Sequence, residues 1–363
     1  MKRQGSVFAT VICMVLIVQA VLLVMRQPLL VASKVKKKKL QTMPGRKDDS
    51  QQKLIKMEHC DCHRWIETRS NLEVNARDEL TNRAIKYNET TCERDAFARG
   101  SRQKVVAFSF YGDVSTQLSI KKGYFEGIEG NLNIMPQYYP GHTMRVYYDL
   151  DDSDEILQEL CQLACHNPIL DICNVKELPG TPMQDASRVF AMNWRFFPTL
   201  DPQVDVYHCR DLDSRFSQRE LAAVAEFIRS DMALHSMRDH PAHFAPMVGA
   251  SWGTHLNRRG ARGKWKKAWD KILQDKNAWA DRSDKGPDQI VLKDHVWPLF
   301  YHRLVLQHDS YLCQKFRWSK PWPTKRAMEP NNFVASIFKD NATLIQRCPK
   351  ACRPKDHLDW EYC

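Results

Sequence analysis

The chain has 363 residues and carries 54 Lys and Arg against 43 Asp and Glu, a formal charge of +11. The first 47 residues hold ten of the basic side chains and no acid, so the remainder sets 44 positive charges against 43 negative ones. A nucleic-acid binder spreads its basic footprint over the folded domain, which this distribution excludes, and 43% hydrophobic content with 14 Gly and 18 Pro excludes collagen-like or linker-like material.

Residues 7–25 are nineteen positions without a charge and with one Gln, long enough to cross a bilayer as a helix. A cleavable signal peptide is the rival reading, but its shorter apolar core would end at a small-x-small site that is not evident here. A retained single-pass anchor is therefore expected, with a cytosolic tail at 1–6. The side on which the body lies is contested. Arg26 and the run Lys34 to Lys39 favour the cytosol by the positive-inside rule. Eleven Cys after the anchor, grouped as Cys60/Cys62, Cys161/Cys165/Cys173 and Cys348/Cys352/Cys363, fit an oxidising lumen. The sequons Asn88-Glu89-Thr90 and Asn341-Ala342-Thr343 point the same way. Zinc is the other use of such cysteines, yet no CxxC pair stands at zinc-finger spacing, so disulfides are expected. Eleven is odd, which leaves at least one thiol free or paired between chains.

From 26 to 100 the sequence is polar and charged and reads as a stem. At Lys104 the texture changes: KVVAFSFYG predicts a buried strand ending in a turn. A helical stretch at 123–134, a strand at 144–150, a helix at 154–165, a strand near 172–175, a helix at 186–196 and a strand at 204–208 follow. Such alternation predicts an α/β sheet with helices on both faces, whose ligands lie beyond the carboxyl ends of the strands. The domain is expected to span 101–345, with a Cys-containing tail at 346–363.

The strand at 204–208 runs into Arg210-Asp211-Leu212-Asp213-Ser214-Arg215 and then a helix with apolar positions Leu221, Val224, Ala225 and Ile228. Two carboxylates one residue apart at a strand end can share a hard divalent cation with diphosphate oxygens. A bare DxD also arises as a pair of turn or capping acids. Here it stands at a strand-to-helix turn, followed by the capping-box pattern Ser217 to Glu220.

Taken with Asn193-Trp194-Arg195-Phe196, with HSMRDHPAHFAPMVGASWG at 235–253, with Pro287-Asp288-Gln289 and with His308-Asp309-Ser310-Tyr311, this segment resembles a GT-A type glycosyltransferase. It is similar to the RDxDSR-bearing group of sugar transferases, in a glycogenin-like motif order, over roughly 104–338. The resemblance implies a GT-A like, Rossmann-like mixed sheet flanked by helices behind an N-terminal transmembrane helix. It also implies a nucleotide-sugar donor, Mn²⁺ or Mg²⁺, and a glycan or glycoprotein acceptor. Carried over, Asp211 and Asp213 would hold the metal and His308 would complete its site. Arg195 and Arg210 would contact phosphate or donor sugar, Ser109 and Tyr111 would lie near the base or ribose, and Asp288 with Gln289 would serve catalysis or the acceptor side. The chain has Gly249-Ala250-Ser251-Trp252-Gly253 where the resemblance leads one to expect a GGxWG-like segment.

Plainer roles stand beside these. His308 can be a structural histidine, and Asp288 can cap a helix. His235, His240 and His243 are expected to be structural, because Pro241 breaks helical spacing. The basic stretch 258–267 with Trp265 and Trp269 reads as a solvated amphipathic helix. The leading expectation is a type II membrane glycosyltransferase of the Golgi or ER lumen. A membrane-tethered luminal or extracellular binding protein that keeps the fold without catalysis is the alternative, and a cytosol-facing protein is the third.

Overall fold

Residues 50–69, 90–112, 118–151, 154–179, 185–281, 284–301 and 303–363 are described by a computed structural model. The expected anchor at 7–25, the Lys34 to Lys39 run and Asn88 lie outside these residues. Among the described residues no helix is long and apolar enough to cross a membrane.

Strands β1 (Ser50–Lys56) and β2 (His63–Arg69) form an antiparallel hairpin, and a short helix α1 (Arg94–Ala98) follows. Then come β3 (Gln103–Phe110), α2 (Leu118–Tyr138), β4 (Thr143–Tyr148), α3 (Glu155–His166) and β5 (Leu170–Asn174). The expected helix at 186–196 is a 3-10 helix, Ala191–Thr199. It leads to β6 (Val204–Cys209), α4 (Gln218–Arg229), β7 (Leu234–Arg238), β8 (Trp252–His255), α5 (Ala261–Ile272), α6 (Pro287–Val291), α7 (Trp297–Phe300) and β9 (Val305–Asp309).

Seven strands make one mixed sheet in the order β5-β4-β3-β6-β8-β7-β9. Only β8 runs against its neighbours. The chain winds outward from β3 through β4 to β5, then returns to lay β6 on the other side of β3. Strand order therefore reverses between β3 and β6, and the carboxyl ends of these strands open the crevice where α/β sheets place ligands.

Alternation along β3 supplies both faces. Val105 and Ala107 join one core with Trp194, Trp252, Trp265 and Trp269. Val106, Phe108 and Phe110 join the other with Ile128, Leu132, Leu160 and Val224 from α2, α3 and α4. The basic stretch 258–267 is thus not a solvated helix throughout: in α5, Trp265 stacks on Trp252 and Trp269 on Phe197. The helix after the DxD is also rotated from the expected face. Its buried positions include Arg219, Glu220, Ala223, Val224 and Phe227, because Arg219 pairs with Asp239 and Glu220 with Arg210 beneath the helix.

Five disulfides join Cys60 to Cys161, Cys62 to Cys165, Cys92 to Cys173, Cys313 to Cys352 and Cys348 to Cys363. Cys209 is the free, buried thiol among the described cysteines. Two of the bridges staple the β1–β2 hairpin, from the stretch expected to be a stem, onto α3. Arg64 of β2 is buried there, pairing with Asp95 and, at 3.0 Å, with Asp171. The two staples close nearly the same loop, with sequence separations of 101 and 103. With one intact, opening the other frees only a short ring and should cost about 2 kcal/mol, whereas losing both should cost about 7 kcal/mol on the chain-entropy scale. Urea unfolding of Cys60→Ala/Cys161→Ala, of Cys62→Ala/Cys165→Ala and of the quadruple variant checks this. Simply additive costs would contradict it.

Candidate functional site

The turn after β6 lies at the reversal of strand order and alternates inward and outward. Arg210 and Leu212 are buried at 1% and 3% exposure, while Asp211 and Asp213 are only partly covered. The two carboxylates can therefore serve one side of the turn. Glycines on α2 permit this approach. A Cβ at Gly127 would fall 2.2 Å from the Leu212 carbonyl oxygen, and one at Gly130 would fall 2.7 Å from Nε of Arg215. Asn131 of the same helix donates to the Ser214 carbonyl at 2.9 Å. The capping box is half formed: Ser217 Oγ accepts from the Glu220 N–H at 3.2 Å, but the Glu220 carboxylate is committed to Arg210 and Tyr139.

Arg195, from the 3-10 helix Ala191–Thr199, is 3% exposed and bridges the site. Its guanidinium donates to Asp211, to Asp288 at 3.0 Å and to the Arg210 carbonyl at 3.3 Å. Its backbone N–H donates to Ser109 Oγ at 3.1 Å, and Tyr207 OH donates to its carbonyl at 2.7 Å. Burial alone would lower the Arg195 pKa, but Asp211 and Asp288 outweigh that and hold it well above its usual value.

The carboxylates bear the cost of this crowding. Burial, then the charge of Asp211, pushes Asp213 up to about 6. Burial also raises Asp288, with Arg195 working against the rise. Tyr111, whose ring meets Trp194 edge-on at 5.8 Å, is pushed up to about 12 by burial. Tyr124 of α2 is raised by burial and by Asp213 and Asp211. Of the nine residues expected at the site, Asp211, Asp213, Arg195, Asp288, Ser109 and Tyr111 thus lie in one connected group, and Gln289 follows Asp288 on α6.

Two do not. Arg210 points its guanidinium at Glu220, Tyr139 and the carbonyls of Cys209 and Ala250, so it stabilises the turn from below and has no free face for a phosphate. His308, at 0% exposure on β9, bonds through Nδ1 to His235 Nε2 at 2.9 Å and through Nε2 to Glu226 at 3.1 Å. Both ring nitrogens are thereby occupied by other partners, and the structure does not bring His308 to the aspartates. Among the described residues no group of three or more His, Cys, Asp or Glu is placed to hold a metal. Asp211 and Asp213 still fit a hard divalent cation. They offer oxygen donors, and the raised Asp213 shows a like-charged pair that a cation would relieve. The remaining positions would fall to water and to a ligand's phosphate oxygens.

Three features were missed at the level of sequence. Tyr124 stands beside the aspartates at 39% exposure. The segment around Phe338 crosses the turn: its N–H donates to the Asp213 carbonyl at 2.7 Å, Ser214 bridges Ile337, and Arg215 lies 4.8 Å over the Phe338 ring. Gly249 is the third, and the GASWG segment was its only signal. Its carbonyl accepts from Cys209 Sγ at 3.1 Å and Trp252 Nε1 at 3.2 Å. A Cβ there would sit 2.2 Å from Asp288 Oδ2. Gly249→Ala should therefore displace the Asp288 carboxylate and destabilise the fold by about 1–3 kcal/mol, the usual scale for overpacking a filled site. Urea unfolding of the variant beside wild type would check this.

No family model matches the chain, and no curated protein matches it. Among solved structures it is similar to S. aureus TarS 1-349, at 12% identity and a TM-score of 0.32 over 53% of this chain and 55% of that one. It is also similar to mouse xyloside xylosyltransferase 1 in its apo form, at 9% identity and a TM-score of 0.32 over 58% of this chain and 86% of that one. The chain thus spans about half the length of the first of these.

Proposed function

We propose that this chain is a glycosyltransferase that moves a sugar from a nucleotide-sugar donor to a glycan or glycoprotein acceptor, with Mn²⁺ or Mg²⁺ held by Asp211 and Asp213. The observation that carries the reading is the like-charged pair at the reversal of strand order, with Asp213 pushed up to about 6 by burial and by Asp211. Bound there, a divalent cation supplies Lewis-acid stabilisation to the diphosphate that accumulates charge as the glycosidic bond breaks. The chain's own residues do the rest. Arg195 holds Asp211 and Asp288 in fixed relation. Asp288, with its carboxyl raised by burial, is the group available for proton transfer at the acceptor side. Tyr111 and Tyr124 offer aromatic surface for a base or a sugar ring.

The proposal includes a lumen-facing domain in the Golgi or ER behind the anchor expected at 7–25. Five disulfides support that compartment. The direct test is thermal shift of the full-length chain with Mn²⁺, with UDP or GDP, and with each nucleotide and Mn²⁺ together. Stabilisation that needs both components, followed by metal-dependent hydrolysis of the matching nucleotide sugar, is expected. No stabilisation by any combination would overturn the reading and leave the non-catalytic binding protein.

A further inference from the structure

We propose that Asn341 carries an N-linked oligosaccharide at the rim of the candidate site. Asn341-Ala342-Thr343 has the acceptor pattern, and chance sequons are frequent, so the weight rests on how the fold presents this one. Asn341 ends the short turn Phe338–Asp340 in the left-handed region, at φ 50° and ψ 32°, a conformation that Asn tolerates better than other side chains. Asn341, Ala342 and Thr343 are all exposed.

The backbone on either side is pinned. The Asn331 N–H donates to the Ala342 carbonyl at 2.6 Å, Asn331 Nδ2 donates to the Phe338 carbonyl at 3.1 Å, and the Leu344 N–H donates to Asn332 Oδ1 at 2.8 Å. The sequon is thus held outward on a fixed turn. A purely conformational role accounts for Asn at the left-handed position. It gives no reason for an exposed Thr two residues later.

A second, independent observation concerns the compartment. Ten cysteines are paired in five disulfides, as in proteins made where lipid-linked oligosaccharide donors are used. In the transfer, the bond between the anomeric carbon of the donor's first sugar and its lipid diphosphate breaks. That carbon bonds to Asn341 Nδ2, the amide gives up one proton, and the lipid diphosphate leaves. The position matters because Asn341 follows by three residues the Phe338 N–H that bonds the Asp213 carbonyl. The sugar chain is rooted beside the turn proposed to hold the metal. This placement rests on the proposed function, but the modification does not.

The test is peptide mapping of the full-length chain expressed in a eukaryotic secretory pathway, with glycan release by peptide N-glycosidase in heavy-oxygen water. A labelled Asp at 341 is expected in wild type, and Thr343→Ala should abolish it while keeping the left-handed Asn and the wild-type melting temperature. An unmodified Asn341 peptide, in protein whose disulfides have formed, would overturn the proposal. So would a label that survives Thr343→Ala. Mapping by peptide separates Asn341 from Asn88, and an unmodified Asn341 in protein still stabilised by Mn²⁺ with a nucleotide would refute only the modification.

Discussion

Asp213→Asn should abolish the metal-dependent transfer proposed above and at the same time stabilise the metal-free protein. The first effect follows from removing one of the two oxygen donors proposed for the cation and should lower turnover by about 100-fold or more. The second follows from the sign of the pKa shift. Burial and the charge of Asp211 push Asp213 up to about 6, above its value in the unfolded chain. Between the two values the unfolded state loses its proton first, so stability falls as pH rises through that window and stays reduced above about pH 6. Replacing the carboxylate should return about 2 kcal/mol at pH 7. Calorimetric melting of both proteins in chelator, and then with Mn²⁺ and nucleotide, checks the pair of effects. An Asp213→Asn variant that melts lower without metal, or that keeps its activity, would remove Asp213 from the site.

Acid should also lower stability steeply. Five histidines gather around Phe227: His235 stacks on it, His255 and His208 lie 4.7 and 6.1 Å from its ring, His142 faces His208 at 5.4 Å, and His308 meets His235 at 5.1 Å. Burial lowers all five, taking His142 to about 3 and His255 to about 4. The surrounding charges deepen the effect for several of them. Lys104 faces His142 and His255, Arg258 faces His255, and Arg210 faces His208 and His235. Glu226 and Lys320 stand at His308, where the carboxylate partly offsets burial.

Well above pH 6.5 these rings are neutral in both states. Below it the unfolded chain takes up protons that the folded one refuses, so stability declines as pH falls. His142, His208 and His235 alone should cost about 4 kcal/mol between pH 7.5 and 5.5. Urea midpoints at the two pH values measure this. His208→Leu gives the sharper check, because both ring nitrogens of His208 are buried without a partner among the described residues. The variant should be more stable than wild type at acid pH and shed one proton's worth of the slope, and an unchanged slope would refute the role given to His208.

The sequence by itself determined the alternation of strands and helices, since buried strands such as KVVAFSFYG and amphipathic helices such as 155–166 write their periods into neighbouring residues. It determined the DxD turn for the same reason, because two side chains one residue apart at a strand end share a side wherever the strand lies. The odd cysteine count was legible too, and Cys209 is the unpaired thiol among the described residues. The tertiary structure decided what these elements meet. Sequence order cannot say that Arg195 closes onto both Asp211 and Asp288, or that Gly249 must lack a Cβ to leave room for Asp288. Nor can it say that Phe338, more than 120 residues from Asp213, returns to cover its turn. His308 shows the limit most clearly. A histidine late in the chain looked like a metal ligand by its place in the motif order. Its burial beside His235 and Glu226, set by the pairing of β9 with β7, turns both ring nitrogens elsewhere.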